Sequence, residues 1–339
     1  MSADTKYLLE TRHLKKYFNT PRGLLHAVDD VDLAIRPGQT LGVVGESGCG
    51  KSTLGRAVLR LLEPTSGEVL FDGEDVTKMG KPELKQFRNR AQIIFQDPYA
   101  SLNPRMTVYE IIAEPLVAGH LRKSSAELEH DVFQMMDTVG LAARLVNAYP
   151  HELDGGRRQR IGIARALVLQ PQFIVCDEPV SALDVSIQAQ ILNLLMDLQR
   201  DRGLAYMFIT HDLSVVKHIS DEIAVMYLGR CVERGPAKAI FANPLHPYTQ
   251  ALLQAIPVPN LSRRGMRREI LKGEVSVPLI PSPAAALRRA ARRPRMPAAG
   301  RMCRLPTGAA GTSAPAWPIE PLVPRGFPRL NNKPKEANK

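Results

Sequence analysis

The stretch GESGCGKST, Gly45 to Thr53, decides the fold. It follows the apolar run at residues 41–44 and leads into LGRAVLRLL, whose apolar residues recur at helical spacing. Strand, glycine-rich loop and helix in that order form the context of a phosphate cradle. Gly45 and Gly50 let the backbone turn tightly and aim successive N–H groups at phosphate oxygens. The helix start adds a partial positive charge. Lys51 can reach β- and γ-phosphates, and the Ser52 hydroxyl can complete a Mg²⁺ shell otherwise made of phosphates and water. Thr53 is placed to donate to an α-phosphate, and Glu46, Ser47, Gly48 and Cys49 make up the rest of the cradle.

The chain has 339 residues, 44% of them hydrophobic, enough for one large or two ordinary domains with a sizeable core. No apolar run approaches the roughly 18 residues that span a bilayer. The N-terminal MSADTKYLLETRHLKKYF lacks the apolar centre of a signal peptide. Cys49, Cys176, Cys231 and Cys303 match no disulfide or metal spacing, so a reducing cytosol is the expected compartment. The net charge of +11 is unevenly placed. Residues 263–339 hold 17 Lys+Arg against 4 Asp+Glu, leaving 28 against 30 in residues 1–262. The globular part is therefore not a basic, nucleic-acid-coating surface.

Residues 8–14 and 28–35 read as strands, separated by the turn-rich KKYFNTPRG with Tyr17 and Phe18. A ring shortly before a phosphate cradle can stack on adenine, worth about 1–3 kcal/mol by analogy with base stacking; the alternative is a core phenylalanine. SGEVLFDGEDV reads as strand and turn, and QIIFQ as a buried strand ending in the polar Gln96. The prolines and asparagine of the following DPYASLNPR argue against regular structure. Residues 108–146 read as largely helical, and ELDGGRRQRIGIARALVL as a further helix opening after paired glycines. FIVC then leads into Asp177 and Glu178. An acidic pair at the end of a buried strand is costly unless it binds a cation or does proton chemistry. Asp177 is placed to hold Mg²⁺ through water and Glu178 to polarise an attacking water; the alternative is an exposed loop pair. SIQAQILNLLMDLQRDRG reads as an amphipathic helix and LAYMFIT as a strand. His211, at the end of that strand, is either structural or a γ-phosphate contact.

These residues resemble a family. From Tyr7 to about Pro283 the chain is similar to ATP-binding subunits of ABC transporters, in particular the oligopeptide/dipeptide importer group. GESGCGKST, Gln96 within IIFQDPYASLNPR, GG–RQRIGIARAL, FIVCDEP, SALD (Ser181 to Asp184) and THD (Thr210 to Asp212) occur in family order and spacing. HPYTQALL and LKGEVSVP are further marks of the subgroup. The resemblance implies an α/β fold: a P-loop NTPase (RecA-like) parallel-sheet core, an N-terminal antiparallel β subdomain and an inserted helical subdomain at about residues 98–165. The ATPase domain would span 1–262 and a basic extension 263–339, disordered after about 283. Phe18 aligns with the aromatic that packs on adenine, and Gln96 with the residue that senses Mg²⁺ and water. Glu178 aligns with the general base, His211 with the γ-phosphate contact, and Asp184 with the loop crossing a dimer interface. The implied protein is an ATPase using ATP and Mg²⁺, peripheral on the cytoplasmic face of the inner membrane. Its implied partners are two transmembrane permease subunits, a second ATPase subunit meeting it head to tail and, indirectly, a periplasmic or extracellular solute-binding protein. Each ATP would lie between one subunit's phosphate loop and the other's signature segment.

Two features depart from the family. The signature, normally L-S-G-G-Q, reads Leu153, Asp154, Gly155, Gly156, Arg157. Losing the serine's bond to a charged group costs roughly 1.5–3 kcal/mol. A carboxylate about 4 Å from a phosphate adds about 4 kcal/mol of repulsion at an effective dielectric near 20. Arg157 can offset part of this by reaching a phosphate or Asp154 itself. The site completed by this signature is therefore expected to be weakened, as in an asymmetric heterodimer or a damaged gene copy. After Pro283 the subgroup continues with a Cys-bearing segment resembling C-R-F-x-x-R-C-P. This chain reads AAALRRAARRPRMPAAGRMCRLPTGAAG instead, which resembles a shifted reading frame and suits disorder, anionic lipid or nucleic acid. The competing functions are a regulatory subunit with little hydrolysis and a soluble ABC ATPase acting on nucleic acid. The second usually carries tandem ATPase halves, zinc modules or long coiled coils, and no such feature is found in the sequence.

Overall fold

The computed structural model describes residues 7–21, 23–119, 121, 124–255 and 279–280, the last pair by backbone alone. The tail beyond residue 283, its expected disorder and the LKGEVSVP segment lie outside the described residues.

The chain opens with a long hairpin, β1 (Leu9–Thr20) and β2 (Gly23–Ile35), closed where Thr20 faces Gly23. The KKYFNTPRG stretch is therefore mostly strand, with Pro21 in the turn. Strand alternation accounts for this. Tyr17 turns to one face, where it stacks on His26 at 3.8 Å and donates to Asp29 Oδ1 at 2.5 Å, while Phe18 turns to the other. Next come β3 (Thr40–Val44), α1 (Lys51–Val58), β4 (Ser66–Phe71), the two-residue β5 (Glu74–Asp75) and α2 (Lys81–Arg90). α2 was not anticipated because its decapeptide holds one buried apolar residue, Phe87.

β6 (Ala91–Ile94) stops two residues short of Gln96. A single helical turn, α3 (Pro98–Ser101), occupies the stretch expected to be irregular. Pro98 sits in its first turn, where a missing N–H is harmless, and Asp97 caps it by accepting from Tyr99 N–H at 2.7 Å. α4 (Val108–Gly119), α5 (Ser125–Thr138) and α6 (Gly155–Leu167) follow. They pack through Ile111, Ile112, Val132, Met136, Ile161 and Ile163. α6 includes both glycines rather than starting after them.

The remainder is β7 (Phe173–Asp177), α7 (Val185–Arg202), β8 (Ala205–Thr210), α8 (Leu213–Ile219), β9 (Glu222–Tyr227), β10 (Arg230–Pro236), α9 (Ala237–Ala242), α10 (Pro247–Ala255) and β11 (Leu279–Ile280).

Two sheets result. The antiparallel one runs β11-β2-β1-β4-β5, and the other runs β10-β9-β3-β8-β7-β6, parallel except for β9–β10. Every residue of β3, β7 and β8 is buried, as expected of parallel strands covered on both faces. Leu54 and Val58 of α1 fill the space between the sheets with Leu33, Phe71, Phe173 and Met207. Asp29 of β2 ties them at the rim, its Oδ2 accepting from Arg230 of β10 at 2.5 and 2.9 Å. The strand ends matter most for function. Val44 pairs with Thr210 and Asp177 with Ile209, so β3, β8 and β7 end level with one another. Ligands of open α/β sheets bind at this carboxyl edge.

Candidate functional site

The phosphate loop leaves β3 at Gly45, with φ at 154°. A Cβ there would stand 2.2 Å from the carbonyl oxygen of Met226 on β9, so only glycine lets the loop lie this close to the sheet. Gly50 turns the chain into α1, whose first residue is Lys51. Lys51 is 4% exposed, and its ammonium donates to the carbonyls of Gly45 at 2.7 Å and Glu46 at 2.8 Å. The cation therefore lies inside the loop. Cys49 is buried beside it, and burial pushes its thiol above the usual range.

Asp177 ends β7 at 1% exposure. Burial raises its pKa against the opposing pull of the Ser52 hydroxyl, which donates to Oδ1 at 2.6 Å, and of Arg56 at 3.8 Å. A buried carboxylate touching a serine oxygen is a hard-oxygen pair suited to a small divalent cation. Among the described residues no cluster of three or more His, Cys, Asp or Glu could hold a metal alone.

Glu178 follows at φ 48°, an uncommon conformation for a side-chain-bearing residue, with its N–H donating to Ile209 O at 2.9 Å. Its side chain is 12% exposed and both oxygens are engaged. Gln96 Nε2 donates to Oε2 at 2.8 Å, and His211 Nδ1 lies 3.2 Å from Oε1. Residues 82 and 33 positions away in sequence thus meet on one carboxylate.

Gly45, Glu46, Gly50, Lys51, Ser52, Gln96, Glu178 and His211 line one cleft of ≈ 660 Å³, together with Phe18, Ser47, Gly48 and Thr53; Cys49 and Asp177, both buried, do not line it. Phe18 is half-buried there, with Lys16 Nζ 5.0 Å from its ring centroid. Leu25, Ala27 and Leu252 also line the cleft, and sequence reasoning missed them. The local signal for Leu252 was its place in HPYTQALL, one helical turn after Tyr248.

Asp154, Gly155, Gly156, Arg157 and Asp184 do not line the cleft. Asp154 caps α6, its Oδ1 accepting from Arg157 N–H at 2.8 Å, and Arg157 Nε lies 3.4 Å from Oδ2. Arg157 thus reaches Asp154, one of the two partners considered for it. Beneath them the glycines rest on the segment leading into α7: a Cβ on Gly155 would lie 3.2 Å from Leu183, and one on Gly156 2.8 Å from Ile187. Asp184 is exposed at the start of α7, and its side chain does not cap the helix.

Residues 28–181 match the ABC transporter family model, and residues 232–283 match the C-terminal region of oligopeptide/dipeptide transporters. The chain is 58% identical over 257 residues to the oligopeptide transport ATP-binding protein OppF of Bacillus subtilis, covering 76% of this chain and 84% of that protein. It is 51% identical over 302 residues to OppF of Salmonella typhimurium, covering 89% of each. It is 50% identical over 282 residues to the dipeptide transport ATP-binding protein DppF of Haemophilus influenzae, covering 81% and 85%. Among solved structures, the dimeric ATP-binding cassette MJ0796 in a post-hydrolysis state with ADP and Pi superposes with a TM-score of 0.62 at 28% identity, covering 68% of this chain and 98% of that one. CbiO1 of Clostridium perfringens, part of the cbiONQ transporter complex, gives 0.63 at 29% identity, covering 70% and 92%.

Proposed function

We propose a function on the premise that this chain belongs to the ABC transporter family, among its ATP-binding proteins. It is an ATPase subunit that powers an importer of di- or oligopeptides. The observation that carries this reading is the meeting of Gln96 and His211 on Glu178 beside the phosphate loop.

Each group has a role in that geometry. The backbone of residues 45–53 cradles the phosphates, Lys51 exchanges its loop carbonyls for β- and γ-phosphate oxygens, and Phe18 stacks on adenine. Glu178 takes the proton of the attacking water, a contribution of about 10²–10⁴-fold for a placed base. Gln96 and His211 orient its carboxylate, and His211 also reaches the γ-phosphate. Ser52, Asp177 and Gln96 would hold Mg²⁺, which when bound neutralises phosphate charge.

No helix among the described residues is long and apolar enough to cross a membrane. We place the chain on the cytoplasmic face of the inner membrane, against two permease subunits served by a solute-binding protein. A second, different ATPase chain meets it head to tail and brings an intact signature to this chain's cleft. The Asp154 carboxylate at the start of α6 favours a second reading, a regulatory subunit that binds ATP and turns it over little. The test is peptide uptake and ATP hydrolysis by the complex reconstituted with its permease and ATPase partners. Peptide-stimulated hydrolysis that collapses in Glu178→Gln supports the catalytic reading. Uptake with hydrolysis indifferent to that substitution leaves the regulatory one, and hydrolysis unresponsive to any peptide refutes the importer.

A further inference from the structure

The peptide between Gly45 and Glu46 is held from both sides. Its carbonyl accepts from Lys51 Nζ at 2.7 Å, and its N–H donates to the phenol oxygen of Tyr248 at 2.9 Å. The C=O and N–H of a trans peptide point in opposite directions, so Lys51 grips this unit from inside the loop and Tyr248 from outside. Gly45 has no side chain to anchor it, and its backbone rests against Met226.

Tyr248 is well placed for this task. It is 5% exposed, its ring lies 4.4 Å from that of Tyr227, and burial raises its pKa so that the oxygen stays a neutral phenol. The start of α10 is itself fixed. Glu233, 8% exposed, accepts the N–H groups of Leu245 at 2.9 Å and His246 at 3.0 Å. His246 Nδ1 accepts the N–H of Tyr248 at 3.1 Å, and Pro247 takes the first helical position, where its missing N–H costs nothing. Gln250 Nε2 closes the turn by donating to Pro244 O at 2.9 Å. The segment HPYTQ thus presents one hydroxyl to the loop, 202 residues away in sequence.

We infer that Tyr248 is a positioning residue of the phosphate loop: its hydroxyl fixes the Gly45–Glu46 peptide, so that α10 holds the cradle in its phosphate-accepting shape. This rests on the reading that the loop takes the phosphates of ATP. Lys51 leaves the Gly45 carbonyl when it turns to those phosphates, whereas the bond to Tyr248 lies outside the loop and persists.

The test uses the full chain in the assembled transporter, with KM for MgATP, kcat and nucleotide-free melting temperature measured for each variant. Tyr248→Phe keeps the ring and removes the hydroxyl. It should raise KM about three- to tenfold, the range for one lost hydrogen bond, with kcat within about twofold. Tyr227→Phe removes a hydroxyl from the same aromatic pair and should leave KM unchanged. Glu46→Pro removes the donor instead, and adding Tyr248→Phe to it should change KM no further, since both delete one bond. A KM unmoved by Tyr248→Phe, a fall in melting temperature without a change in KM, or additive effects of the two substitutions would each overturn the assignment. Lys51→Ala separates the premise: if it left ATP affinity intact, the loop would not be the phosphate site at all.

Discussion

Arg157 is folded back onto Asp154, with Nε 3.4 Å from Oδ2 while Oδ1 caps the helix that both residues begin. The carboxylate that departs from the family's serine therefore serves as the helix cap, a position that serine also suits. Its charge is balanced by the helix N-terminus and by the guanidinium. At 53% and 47% side-chain exposure the pair contributes little to the isolated subunit.

The two departures should accordingly behave as a unit. Arg157→Gln alone uncovers the Asp154 charge and should lower ATP turnover by the complex by up to about fivefold, the equivalent of an ion pair of at most about 1 kcal/mol. Asp154→Ser with Arg157→Gln should raise turnover above the parent. Asp154→Ala should cost about 1 kcal/mol of stability through the lost cap, whereas Asp154→Ser should not. Steady-state hydrolysis and denaturant melts check these; a neutral double substitution would remove the signature from any account of reduced activity.

Glu178→Gln keeps the shape of the side chain and its contact with Gln96, but it cannot take a proton. Hydrolysis should fall about 10²–10⁴-fold while ATP affinity stays near that of the parent, because Lys51 and Ser52 are untouched. Single-turnover assays with labelled ATP distinguish the two effects. Residual turnover within tenfold of the parent would assign the base elsewhere.

Asp29 predicts a pH dependence. Burial pushes its pKa up, but the hydrogen bonds from Tyr17 and Arg230 and the Arg230 charge outweigh that and leave it lowered. A lowered carboxylate pKa makes the unfolded chain the stronger proton binder. Its stabilisation is complete above the ordinary value of about 3.9 and is lost as pH falls through the folded value. Arg230→Gln should cost about 1–3 kcal/mol at neutral pH and move the onset of acid unfolding upward. Urea melts from pH 3 to 7 would show this; an unchanged acid limb would mean that the link between β2 and β10 is inert.

Truncation after residue 283 should leave nucleotide affinity unchanged, since among the described residues those lining the cleft fall between Phe18 and Leu252. Equilibrium binding of a fluorescent ATP analogue decides it. A loss beyond threefold would give the basic tail a part in the site.

What the sequence made legible was whatever chemistry is written locally. GESGCGKST and FIVCDE declare a loop and an acidic strand end by composition and neighbours alone, while the parallel order of the strands comes from the family resemblance. The misreadings have local causes too. Pro21 and Asn19 suggested a long turn where Tyr17 and Phe18 continue a strand by packing on opposite faces. Pro98 suggested a break where it begins a helical turn. Contacts between distant segments had no local trace. Gln96 on Glu178 could be reached only through family resemblance, and Tyr248 on Glu46 not at all, because one hydroxyl pointed at one N–H leaves no periodicity to read.

Gly155 and Gly156 rest on Leu183 and Ile187, and Leu183 is five residues beyond Glu178. In the head-to-tail pair proposed above, the part of this chain assigned to its neighbour's nucleotide would thereby be mounted on the part assigned as its own base. A message about the neighbour's site has only a short, stiff path to travel. Asp154 and Arg157 alter the outward face of that mount and leave its bearing untouched. A subunit built this way can stop assisting its neighbour's chemistry and still keep time with it.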